Sequence, residues 1–295
     1  MRTPTASRAS AAFAALATLA LAAGAAACSS SKSPSGSGPG SAASGAGAGL
    51  PSSTGPLTEE QFKALHAPPT SAQVPGTGTK IDLAGTRAYL SLPSGPGPFP
   101  AIVVIHEWWG LNANIEHWAD RLASAGWAAL AVDLYGGVVA TDADAAMAAM
   151  KSADDAKATA TITAALDFLA KDPRVRATKR AVIGWCFGGG WSLQTALAHP
   201  ELDGAIIYYG QLETDPAKLA AIKARVLGVF GTRDKGIPPD KVAAFQAALQ
   251  QAGVRAEIYS YDAEHAFANP SNPKYDEAGA AEAWKHVLAF LGALR

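Results

Sequence analysis

Beyond residue 100 the apolar positions fall in short runs that do not alternate with polar ones. They cover 101–105, 127–132, 181–183, 205–209 and 226–230, and 256–259, interrupted by Glu257, reads as the last strand. Runs of about five residues without alternation mark strands covered on both faces. Between them, helical spacing predicts helices over 115–125, 144–171 (as one or two), 188–198, 216–222, 240–252 and 277–294. Gly126 and Asp172-Pro173 supply stop signals. Upstream, 57–65 predicts a short entry helix, and 80–92 one or two strands ending at Pro93. Repeated strand–helix alternation implies an α/β fold, a mostly parallel sheet with helices on both faces. In such a sheet the carboxyl ends of the strands carry the site.

The N-terminal pattern differs. Arg2 and Arg8 precede an apolar run over 11–23 broken only by Thr18, and small residues 24–27 lead to Cys28. The run is shorter than the roughly 20 residues a membrane span needs, so 1–27 reads as an export signal. Small residues before a cysteine resemble a bacterial lipoprotein signal, although Ala25 stands at the place of the usual leucine. That resemblance implies acylation of Cys28, and two lipid chains would anchor the protein stably. The alternative is ordinary secretion with Cys28 incidental. Residues 28–56, mostly Ser, Gly, Ala and Pro with Lys32 as the one charge, read as a flexible tether. The folded domain is then 57–295. The expected location is the bacterial cell envelope, with membrane contact only through the lipid at Cys28, or otherwise the periplasm or medium.

Composition narrows the classes. The 295 residues hold 24 basic and 25 acidic side chains, a net charge of −1. That balance gives no field for a polyphosphate backbone, so nucleic acid is excluded as a general partner. Two cysteines make neither a disulfide-dense scaffold nor a four-cysteine zinc site. The 49% apolar content excludes a wholly disordered chain. About 239 folded residues suit one α/β domain, expected to work as a monomer.

The second cysteine lies in Gly184-Trp185-Cys186-Phe187-Gly188, between a predicted strand and a helix. This is the nucleophile-elbow pattern with cysteine in place of serine. Glycines on both sides permit a sharp turn. The turn places the sulfur at a helix N-terminus, where partial positive charge favours thiolate. A cysteine nucleophile needs a base, and the base an orienting acid. Asp234 follows the strand at 226–230, in the acid's place, with Asp262 in reserve; His265 follows the last strand, in the base's place. The loop His106-Glu107-Trp108-Trp109-Gly110 is placed to supply an oxyanion-hole N–H from Trp108 beside that of Phe187. The His-Glu pair is no zinc motif, because Gly110 stands where a second histidine would be. No metal or organic cofactor is expected.

At these residues the chain resembles the dienelactone hydrolase family of α/β-hydrolases. The resemblance runs through His106-Glu107-x-x-Gly110, Asp133-Leu134-Tyr135, Gly184 to Gly189, Tyr208-Tyr209-Gly210, Gly231-x-x-Asp234 and Glu264-His265-Ala266-Phe267. It implies an α/β-hydrolase fold and a Cys186–His265–Asp234 triad. It also implies that Glu107 approaches the resting thiol and helps deprotonate it when substrate arrives. The best-known members grip a substrate carboxylate with two arginines. Here those places hold the stretch 136–139 and Asn269. Neither supplies a bidentate cation. The expected substrate is therefore a small ester or lactone lacking that carboxylate, held by Trp108, Trp109, Tyr135, Phe187, Tyr209 and Asn269. The competing readings are a non-catalytic ligand-binding surface lipoprotein on the same scaffold, and a thioesterase or acyl transferase.

Overall fold

The computed structural model describes residues 57–68 and 71–295. The expected signal, the tether and Cys28 lie outside the described residues. The chain enters through helix α1 (Glu59–Leu65) and a hairpin, β1 (Thr79–Leu83) and β2 (Thr86–Ser91). Strands and helices then alternate through β3 (Ala101–Ile105), α2 (Ala113–Ser124), β4 (Ala128–Val132), α3 (Ala143–Ser152) and α4 (Asp155–Lys171). They continue through β5 (Arg180–Trp185), α5 (Phe187–Ala198), β6 (Gly204–Tyr208) and α6 (Pro216–Leu219). The last elements are β7 (Arg225–Gly231), α7 (Pro239–Gln251), β8 (Ala256–Tyr261) and α8 (Glu277–Gly292).

The strands form one eight-stranded sheet in the order β1-β2-β4-β3-β5-β6-β7-β8. From β4 to β8 every pairing is parallel, and the β1–β2 hairpin joins β4 antiparallel. The 80–92 segment becomes two strands because Ala84 and Gly85 take φ of 50° and 81°, the twist of a tight two-residue hairpin turn. The 144–171 segment divides before Asp154, whose side chain caps α4 by accepting from the Lys157 amide.

Every β3 side chain is buried. Ala101, Val103 and Ile105 face a core shared with α4, α5 and α7, while Ile102 and Val104 face one shared with α1, α2 and α8. A strand packed on both sides has no polar positions to alternate, which explains its sequence. β8 is the exception, an edge strand with no fully buried residue.

Helix α1 is fixed on the α2–α8 face. Phe62 is fully buried, with its ring 4.3 Å from that of Trp118. The Arg121 guanidinium sits 4.3 Å from the Phe62 ring and 4.2 Å from that of Trp284. It also pairs with Glu59 at 2.6 Å.

Candidate active site

The end of β5 makes the turn expected of an elbow. Cys186 has φ 55° and ψ −113°, and α5 begins at the next residue. A non-glycine residue rarely holds that conformation, and its persistence means the surroundings fix it. The Cys186 amide donates to the Tyr208 carbonyl at 3.0 Å, and Gly190 N–H to the Cys186 carbonyl at 3.2 Å. A Cβ on Gly184 would strike the Gly188 carbonyl, and one on Gly188 the carbonyls of Ile105 and His106. Glycine at both places lets α5 press against the end of β3. The Cys186 side chain is left half-buried.

His265 and Asp234 come together across the ends of β8 and β7. His265 Nδ1 lies 2.6 Å from Asp234 Oδ2. The other Asp234 oxygen accepts the amides of Gly236 at 2.8 Å and Ile237 at 3.1 Å. The two loops are stitched by Thr232 N–H to the Tyr261 carbonyl and Arg233 N–H to that of Ala263. Burial opposes charge on His265. The hydrogen bond to Asp234 and the neighbouring Cys186 outweigh it and push the imidazole up to about 10. Burial also opposes charge on Asp234, but the His265 hydrogen bond and the two amides hold its carboxyl below the usual range. The reserve acid Asp262 is exposed and pairs with Arg233 at 3.1 Å.

Glu107 is buried, and its Oε2 accepts a 2.5 Å hydrogen bond from Asn269 Nδ2. Its hydrogen-bond partner in this structure is thus the residue at the family's second arginine place, not the thiol. Burial pushes the carboxyl up to about 7, against the pull of His265 and Asn269. His106 is fully buried and joins two strand ends. Its Nδ1 lies 2.6 Å from the Glu107 carbonyl, and its Nε2 accepts the Leu134 amide at 3.1 Å. Burial pushes it down to about 4, so it is neutral.

The residues expected at the substrate divide. Trp108 and Trp109 form an edge-on pair, 5.0 Å between rings, on the half-buried loop after β3. Phe187 stacks on His106 at 5.7 Å and meets Tyr135 at 5.2 Å. A cavity of about 220 Å³ opens beside Tyr135, lined also by Leu134, Val138, Ala149 and Lys157. Tyr209 and Asn269 are placed differently from expectation. Tyr209 is buried, with its ring 5.1 Å from that of His265. Asn269 is buried too, facing Glu107 and Ser271. The Phe187 amide lies in the first turn of α5, which has no acceptor inside the helix, and Trp108 follows Glu107 in the β3–α2 loop.

Sequence reasoning missed Asn114 and Ser271, which adjoin this site through Asn269. The only signal was the turn-rich run 268–273 after His265, and it reads as an ordinary loop.

The model of the dienelactone hydrolase family matches residues 86–294. A Methylorubrum extorquens protein provisionally named as a carboxymethylenebutenolidase is 30% identical, over 68% of this chain and 74% of its own length. Among solved structures, a provisionally named dienelactone hydrolase of Klebsiella pneumoniae superposes with a TM-score of 0.68 at 26% identity. That match covers 73% of this chain and 98% of the other. A dienelactone hydrolase-like promiscuous phosphotriesterase from metagenomic libraries superposes with a TM-score of 0.67 at 28% identity, covering 74% and 98%.

Proposed function

This chain belongs to the dienelactone hydrolase family of α/β-hydrolases, and on that premise we propose that it cleaves an ester or lactone through Cys186, His265 and Asp234. The observation that carries the reading is the Asp234–His265 pair set beside a thiol on a strained elbow. The Cys186 thiolate attacks the acyl carbonyl, and the carbonyl pair moves onto oxygen. The N–H groups of Phe187 and Trp108 receive that oxyanion. Collapse breaks the bond to the alkoxide, which takes the His265 proton. Water then gives its proton to His265 and attacks the thioester, and collapse frees the acid and the thiolate. Asp234 fixes the imidazole throughout. Glu107 assists deprotonation of the thiol.

The substrate is a small ester or lactone that needs no carboxylate clamp, since 136–139 and Asn269 offer none. Trp108, Trp109, Tyr135 and Phe187 form its apolar wall. The protein acts as a monomer, exported and anchored by lipid at Cys28. Palmitate labelling of wild type and Cys28→Ser tests the anchor; equal labelling rejects it.

The test of the activity is turnover of a panel of p-nitrophenyl esters and lactones by the purified protein, with Cys186→Ala as control. Turnover lost in the control is expected. Turnover that persists in Cys186→Ala rejects the mechanism. None with any substrate leaves a ligand-binding module instead.

A further inference from the structure

A directed line of hydrogen bonds runs from the N-terminal segment into the site. The Ala67 amide donates to Asn114 Oδ1 at 3.4 Å, and Asn114 Nδ2 donates to the Ala67 carbonyl at 3.0 Å. Asn114 Nδ2 also donates to Ser271 Oγ at 3.1 Å. Ser271 Oγ, accepting there, turns its own proton to Asn269 Oδ1 at 2.7 Å, and the Ser271 amide donates to the same oxygen at 2.9 Å. With two donors on Oδ1, the Asn269 amide has one orientation, its NH2 toward Glu107 Oε2 at 2.5 Å. Each donor in the line is polarised toward a carboxylate at its end, which strengthens the whole.

We propose that Asn114 and Ser271 are positioning residues that hold Asn269, and through it Glu107, and that the segment carrying α1 completes the network by fixing Asn114.

Three observations support this. Asn114 and Asn269 are both nearly inaccessible, at 4% and 6% exposure, so water does not readily replace their partners. The α1 segment precedes the 86–294 core matched by the family model, yet Phe62, Glu59 and Lys63 all tie it down. The titratable groups facing Glu107 are His265, which favours its charge, and Tyr209, whose phenol shares its surroundings. Among the described residues only Asn269 holds it by a hydrogen bond, and that bond favours the ionised form. Loosening Asn269 therefore raises the Glu107 carboxyl.

The inference rests on the proposed role of Glu107 beside the Cys186 thiol, so the test is chosen not to need turnover. Alkylation of Cys186 by iodoacetamide is followed in the full-length protein across neutral pH and read on the Cys186 peptide by mass spectrometry. The wild-type rate curve is expected to carry an inflection near 7 that is missing in Glu107→Gln. Ser271→Ala and Asn114→Ala move it up, by a fraction of the roughly one pH unit that the whole Asn269 hydrogen bond to the charge is worth. Ser271→Thr, which keeps the hydroxyl, returns it. Phe62→Ala, which unseats α1, shifts it the same way. An inflection unmoved in Ser271→Ala and Asn114→Ala overturns the proposal, as does a shift that survives in the Glu107→Gln background. Ester hydrolysis, measured separately, reports on the activity itself. Should Ser271→Ala melt early, Asn114→Ala and Ser271→Thr carry the test.

Discussion

His265 Nδ1 and Asp234 Oδ2 stand 2.6 Å apart, and the second Asp234 oxygen is held by two backbone amides. The carboxylate is thus fixed before the histidine meets it. Asp234→Asn keeps the shape but offers Nδ1 an amide in place of a charge. In serine triads the equivalent change lowers kcat about 10,000-fold by favouring the wrong tautomer. A loss of about 1,000- to 10,000-fold in kcat/KM is expected here, with the far-ultraviolet spectrum intact. The pairing also has a pH signature. His265 is raised from 6.5 to about 10, so its stabilisation is complete below 6.5 and is lost as pH rises through about 10. Melting temperature should fall over that window in wild type and fall less in Asp234→Asn.

His265 was legible from its place after the last strand, although β8 is an edge strand with no fully buried residue, and Asp234 because the strand before it is buried and announces itself as an apolar run. The elbow was legible for the same reason, with Gly184 and Gly188 marking where side chains would collide. The contact between Glu107 and Asn269 was not, since it joins loops 162 residues apart and depends on how those loops turn. The place of Arg121 carries no signal of its own in the sequence. A cation within an amphipathic helix reads as solvent-facing, and only the docking of Phe62 and Glu59 shows why it is buried. Tyr209 sits in a motif shared with the family, but a motif does not tell whether a ring is open to a cleft or buried; here it is buried, 5.1 Å from the His265 ring.

The buried Glu107 carboxyl makes a prediction about stability alone. Burial raises it from 4.5 to about 7. An acid raised in the folded state adds no cost below 4.5; the cost grows as pH rises to about 7 and is constant above. Glu107→Gln removes that charge while its amide oxygen still accepts from Asn269. Urea unfolding should show the variant about 1–3 kcal/mol more stable at pH 8 and nearly equal to wild type at pH 4.5. Equal stability at both pH values would contradict the burial argument.

Arg121 is 1% exposed and its ion-pair partner Glu59 15% exposed. Removing one partner of a buried pair leaves a charge without compensation, which costs about 3–5 kcal/mol, whereas replacing both by apolar groups is often nearly neutral. Glu59→Gln is expected to lose about 3 kcal/mol in urea unfolding, since Glu59 keeps some contact with water. The double variant Glu59→Gln with Arg121→Met should recover most of that loss, because methionine fills the slot between Phe62 and Trp284. Additive losses would show that the pair is not coupled.

The strain at Cys186 separates function from stability. With φ 55° and ψ −113°, the position suits glycine and strains any residue carrying Cβ. Cys186→Ala and Cys186→Gly both remove the thiol, so both should abolish turnover. They differ in backbone cost. Alanine keeps the strain, whereas glycine relieves it and gives back part of the gain through a freer unfolded chain. Cys186→Gly should therefore be more stable than Cys186→Ala by about 1 kcal/mol, measured by urea unfolding at one pH. The reverse order would mean that the elbow is not strained, and that the hydrogen bonds to Tyr208 and Gly190 hold the turn without cost.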